Sequence, residues 1–66
     1  MTTIEQQPLA KPGELRNPNN GHTLTDHEVA AYNRYTEELN RTRYPDEREF
    51  LMDQRHRYFV SCGEPI

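Results

Sequence analysis

The chain has no tryptophan, a single cysteine, a single lysine and only three glycines in 66 residues. Each scarcity excludes something. Cys62 has no second thiol to pair with, so there is no internal disulfide, and a reducing intracellular compartment is the simplest setting. No apolar run approaches the length of a membrane span or the core of a signal peptide, so a cytoplasmic protein without membrane association is expected. Leu, Ile, Val and Phe together make up only about a sixth of the chain, below the level usual for a compact fold. One small domain of this size buries little surface, and its stability is expected to be marginal. A partner, a second copy or a metal could supply what is missing.

Charge is present but moderate: 8 Lys and Arg against 11 Asp and Glu give a net charge of −3. A mildly acidic chain is a poor general ligand for nucleic acid. All the positive charge except Lys11 is arginine, which suits interfaces because guanidinium makes bidentate contacts and stacks on rings. Codon bias in a GC-rich genome is the plain alternative.

Residues 1–22 hold Pro8, Pro12, Gly13, Pro18 and Gly21, while Ile4, Leu9 and Leu15 follow neither helical nor strand spacing. Such a composition does not repay its ordering entropy, so a mostly disordered arm is expected. Asn19-Asn20-Gly21 is a turn signal, and a short hairpin between Glu14 and Leu24 is the minor alternative. Residues 23–66 form the structured unit.

That unit opens on a helix-start signature. Thr25 is a good N-cap and Glu28, three residues on, completes a capping box; Leu24 and Val29 can close a hydrophobic staple. Val29, Tyr32, Tyr35 or Thr36, and Leu39 recur at helical spacing. Arg34–Glu38 and Glu37–Arg41 can pair on the outer face. A first helix is expected over about 25–41. Pro45 disfavours helical geometry at Tyr44 and breaks it. Asp46, with Glu49 as its capping-box partner, is expected to start a second helix over about 46–62, stopped by Gly63 and Pro65. A link this short gives an antiparallel helical hairpin, so the fold class is all-α, with Leu24, Val29, Leu39 and Leu51 as core.

Catalysis needs a nucleophile with a base, or two placed acid–base groups in a cleft. Cys62 with His56 is the nominal pair, six residues apart on different sides of one helix, and the chain is expected to be no enzyme. His22, His27, His56 and Cys62 are metal-ligand types, but their spacings match no usual zinc pattern, so neither metal nor cofactor is expected. The pairs Arg41/Arg43 and Arg55/Arg57, beside Tyr44 and Tyr58, could grip phosphates and stack on bases. Cations are also expected at the end of the first helix, and Asp53 can neutralise Arg57 at i,i+4. Direct nucleic-acid binding is therefore not favoured.

Six rings, Tyr32, Tyr35, Tyr44, Phe50, Tyr58 and Phe59, fall within thirty residues, interleaved with arginines. Two helices cannot bury all of them between themselves. Tyr and Arg dominate interface hot spots, so Tyr32, Tyr35, Tyr58, Phe59, Arg55 and Arg57 are the expected partner contacts. The alternatives are self-association, or an arm that folds back through Leu9 or Leu15. The expected function, reached by elimination, is a small regulator or inhibitor acting on a larger protein machine. Small stand-alone regulators include bacteriophage-encoded ones, and bacterial RNA polymerase is one target this size class suggests. The rival readings are a small nucleic-acid-binding helical protein and a structural homodimerising module.

Overall fold

The computed structural model describes residues 6–63, so the expectations placed on Ile4 and Pro65 lie outside the described residues. Two helices form an antiparallel hairpin: α1, Asp26–Arg41, and α2, Pro45–Ser61. The start of α1 follows the local rules closely. The Glu28 amide donates to the Thr25 hydroxyl at 3.2 Å, and the Thr25 amide donates back to the Glu28 carboxylate at 2.9 Å. Leu24 and Val29, the two ends of the staple, are both buried.

The start of α2 differs from the expectation. Tyr44, not Asp46, is the N-cap; Pro45 occupies the first turn and no side chain caps the helix. The pyrrolidine ring presets the helical φ, and its missing N–H is one that the first turn would leave unpaired anyway. Pro45 therefore begins the helix it was expected to precede, and Asp46 and Glu47 become first-turn residues favoured by the dipole. The hairpin turn is closed by Arg48, whose guanidinium donates to the carbonyls of Leu39 at 2.7 Å and Thr42 at 3.0 Å. Both carbonyls lie at the end of α1, where the regular helical partners run out; that of Leu39 also accepts from the Thr42 amide at 3.3 Å. Of the three outer-face ion pairs expected, Asp53–Arg57 closes at 3.0 Å, whereas Arg34–Glu38 and Glu37–Arg41 do not close among the described residues.

Residues 6–25 carry no helix and no extended ladder, but they are laid along the hairpin and not left detached. The expected turn at Asn19-Asn20-Gly21 is present, with a single antiparallel bridge between Arg16 and Thr23. The Leu24 amide donates to the Leu15 carbonyl at 3.0 Å. Leu15 and Ala10 then pack on a cluster of Leu24, Val29 and Cys62, joined by Tyr58 and Phe59. Leu9, the other apolar residue considered for that role, stays half exposed.

What fixes this loop is polar. Asn17 is fully buried. Its side-chain amide donates to the carbonyls of Val60 at 2.9 Å and Cys62 at 3.0 Å, while its oxygen accepts from the Asn19 amide at 2.9 Å. Asn20 adds a third donation, to the Cys62 carbonyl at 3.0 Å. Helix α2 has no basic residue in its last turn, so these loop amides satisfy the terminal carbonyls that its own side chains leave open. Gly63 completes the stop in the left-handed region at φ +80°, and a β-carbon there would collide with the His22 ring.

The rest of the interior matches three of the four expected core residues. Leu24, Val29 and Leu39 are buried, together with Cys62 and the polar Thr36, but Leu51 is half-buried at the edge of the helix seam.

Asn17→Asp keeps the shape of the side chain but replaces the donating NH₂ by an acceptor facing two carbonyls. A melt followed by circular dichroism at neutral pH should show a midpoint lower by at least about 5 °C, corresponding to the roughly 1–3 kcal/mol lost when buried partners are stranded. An unchanged midpoint would remove Asn17 from its place in the fold.

Candidate functional site

The expected contact residues are placed by two helical faces turned towards each other. Tyr32 of α1 meets Phe59 of α2 edge-on, with ring centroids 5.8 Å apart, and Tyr35 meets Tyr58 at 6.0 Å. Such pairs bring stabilisation beyond the area they bury. Arg55 lies over the Tyr32 ring at 5.1 Å and donates to the Thr36 hydroxyl at 3.0 Å and to the Gln7 side-chain oxygen at 2.7 Å. Five of the six expected contacts are thus half-buried in the seam of the hairpin. The sixth, Arg57, is exposed and paired with Asp53. Arg55 and Arg57, two residues apart on a helix, therefore face opposite ways and do not form one cationic grip.

The rings left outside are Tyr44 and Phe50, 70% and 62% exposed. Beside the seam, Ala31, Arg34, Tyr35, Glu38 and Leu51 line an open groove of about 440 Å³. A shallower hollow of about 160 Å³, lined by His27, Ala30, Ala31 and Arg34, adjoins it. Positions 31, 34, 35 and 38 form one stripe of α1 by the i, i+3, i+4, i+7 rule. On α2 the stripe Phe50–Gln54–Arg57 lies on the opposite side of the Leu51–Tyr58 line from Arg55 and Phe59 by helical spacing, and Leu51 is the residue α2 contributes to the groove lining. The groove thus has an apolar floor (Ala31, Tyr35, Leu51) and charges of both signs, Arg34 and Glu38, beside it. Composition had identified the aromatic and Arg residue types. It had not identified Phe50, Leu51 and Arg34 as the ones left available, although their spacing carried that signal once the facing stripe was known.

A second polar cluster lies at the other end of the hairpin. The Glu28 carboxylate accepts from the Thr25 amide at 2.9 Å and, through the same oxygen, lies 2.9 Å from His22 Nε2. An ionised carboxylate only accepts, so Nε2 is the donor. The Thr25 amide first, and His22 next, hold Glu28 down at about 2 from an ordinary value of 4.5. Cys62 is buried, its thiol donating to the Tyr58 carbonyl at 3.2 Å. Burial first, and the neighbouring Glu28 second, push that thiol up to about 11; burial also raises Tyr58. A thiol held protonated at neutral pH is a packing group and a poor nucleophile. His56, its nominal partner, is exposed, and the imidazole reaching this end of α2 is that of His22. Among the described residues no three His, Cys, Asp or Glu side chains converge as a metal site requires. Nor is any described helix long and apolar enough to cross a membrane.

Glu28 gives the fold a pH dependence of definite sign. Its folded value lies below its unfolded one, so its contribution is complete above about 4.5 and is lost as pH falls towards 2. Thermal melts between pH 6 and pH 2.5 should show the midpoint falling in this window, and falling less in Glu28→Gln. Parallel curves for the two proteins would assign the acid sensitivity to other carboxylates.

Compared with protein-family models, with curated proteins and with solved structures, the chain matches none.

Proposed function

We propose that this chain is a small non-enzymatic regulator that binds a larger protein through the groove beside its helix seam. The observation that supports the reading is a concave apolar floor of Ala31, Tyr35 and Leu51, together with the exposure of Phe50, the chain neighbour of Leu51. Aromatic and arginine anchors around a small apolar hollow are what protein interfaces concentrate. An aromatic side chain left 62% exposed on so small a chain exposes apolar area that a partner would cover. Arg34 and Glu38 beside that floor would set orientation and association rate more than affinity.

A non-catalytic role fits the chemistry of the side chains. The thiol is buried and held protonated, and the polar groups lining the groove are one Arg, one Glu and one Tyr hydroxyl. The partner class is a larger protein machine. Bacterial RNA polymerase is the first complex to try, on the ground of size class alone.

The reading is tested by retention of one stoichiometric complex from nuclease-treated bacterial lysate on the immobilised full chain, washed at low and then high salt. Phe50→Ser with Arg34→Glu alters only exposed positions, so the circular dichroism spectrum should be unchanged while retention falls about tenfold or more, the loss expected of a hot-spot pair. Equal retention by the two proteins would place the interface elsewhere. Loss of all retained protein after nuclease would favour nucleic acid.

A further inference from the structure

The loop that caps the end of α2 carries the one asparagine–glycine pair of the chain, Asn20–Gly21, although there are five asparagines. The pairing has a chemical consequence. The amide nitrogen that follows an asparagine can attack the carboxamide carbon of its side chain, and glycine, with no β-carbon, leaves that approach open. The other asparagines lack this partner. Asn17 is followed by Pro18, whose nitrogen has no hydrogen to give up. Asn19, Asn33 and Asn40 are followed by Asn20, Arg34 and Arg41, whose β-carbons crowd the nitrogen, and the last two of those amides lie within α1.

The closed loop commits the reacting groups elsewhere. The Gly21 N–H, whose proton attack requires, is donated to the Asn17 carbonyl at 2.8 Å. The Asn20 carboxamide is held at both ends: its oxygen accepts from the His22 amide at 2.9 Å, and its nitrogen donates to the Cys62 carbonyl at 3.0 Å. Arg16 ties the turn again, its Nε donating to the Gly21 carbonyl at 3.1 Å. Attack needs a nitrogen free to lose its proton and a side chain free to turn, so these contacts must open first. Asn20 and Gly21 are exposed, and once the contacts open, solvent base has access to the pair.

We propose that Asn20 is a site of spontaneous deamidation that the closed loop holds in check, and that its conversion keeps an opened loop from closing again. In the opened loop, hydroxide takes the Gly21 N–H proton and the nitrogen attacks Asn20 Cγ. The N–Cγ bond forms, the Cγ–Nδ2 bond breaks, and Nδ2 takes a proton from water and leaves as ammonia. The succinimide then adds one water. Cleavage at Cγ gives aspartate; cleavage at the main-chain carbonyl gives isoaspartate, with the chain running through Cβ.

Either product is unsuited to the loop. A carboxylate has no N–H to offer the Cys62 carbonyl, and it sets negative charge against an oxygen that also accepts from Asn17. Isoaspartate further inserts a main-chain carbon between Asn17 and His22, whose amide and carbonyl are paired at 2.8 Å. The turn that aligns Leu15 with Leu24 then falls out of register. Closed chains stay intact and opened ones are marked. None of this rests on the function proposed for the groove.

The test is peptide mapping by mass spectrometry on the full chain, kept in warm, mildly alkaline buffer with and without enough guanidinium chloride to unfold it. In denaturant Asn20 should convert while the other four asparagines remain intact. In native buffer its conversion should be at least about tenfold slower, because only the opened fraction reacts. Asn17→Asp, which weakens the anchor of the loop, should raise the native rate at least about fivefold. If that variant does not fold, the comparison of native with unfolded wild type decides alone. Equal rates in the two buffers overturn the protection, and conversion spread evenly over the asparagines overturns the site. The converted chain, separated by its added negative charge, should melt at least about 4 °C below the intact one. An unchanged midpoint overturns the effect on the loop.

Discussion

The fold hangs on the buried amide of Asn17. A helix that ends without a basic last turn leaves carbonyls pointing at whatever follows, and α2 ends in this way. Asn17 supplies two donors to those carbonyls from a residue more than forty positions earlier in the chain. Once that loop is fixed, its neighbours are fixed as well. Leu15 and Leu24, paired across the bridge, are brought onto Val29 and Cys62. His22 is brought against Gly63 and onto the carboxylate that caps α1. One polar contact thus ties the end of α2 to the start of α1, and the apolar cluster forms between them.

The same economy recurs along the chain. With Leu, Ile, Val and Phe at about a sixth of its residues, this protein cannot rely on burial alone, and asparagine amides take over part of the work of a β-ladder. Asn17, Asn20, Asn33 and Asn40 each accept and donate, so each ties down an N–H or C=O that irregular backbone would otherwise leave to water. Amide contacts of this kind contribute about 1 kcal/mol each, and less where water competes. Asn17, fully buried, is therefore the most costly of the four to lose, whereas Asn33 and Asn40 make part-buried contacts where water competes.

What was legible in the sequence was local. Thr25, Glu28, Leu24 and Val29 lie within six positions, and their spacing specifies the start of α1 without reference to anything distant. Gly63 was legible for the same reason. At the start of α2 two local signals competed, and Pro45 at the first helical position prevailed over the capping pattern of Asp46 and Glu49. The course of residues 6–17 could not be read in this way. Their partners are side-chain amides, a guanidinium and helix-terminal carbonyls 23 to 48 positions away, and such contacts leave no periodicity. The rings show the limit most clearly. Helical spacing put Tyr32 and Tyr35 on a stripe and Tyr58 and Phe59 on another, but spacing alone does not tell whether a stripe meets a partner or the neighbouring helix.

The answer for those rings follows from arithmetic on the surface of α1. Tyr32, Thr36 and Leu39 face α2, with Tyr35 at the edge of that face against Tyr58; Val29, Asn33 and Asn40 lie to one side of that line, and Ala31, Arg34 and Glu38 to the other. A helix packed against a single neighbour covers only the first of these stripes. The chain covers the second with its own residues 6–17, using polar contacts suited to a segment poor in apolar side chains. It has no segment among the described residues to lay over the third, where Tyr35 and Leu51 line a groove open to solvent. An apolar floor on the uncovered side and side-chain amides bonded to main chain on the covered one are two different packing chemistries on one helix. The first is set by shape and apolar area, the second by the polar groups of irregular backbone.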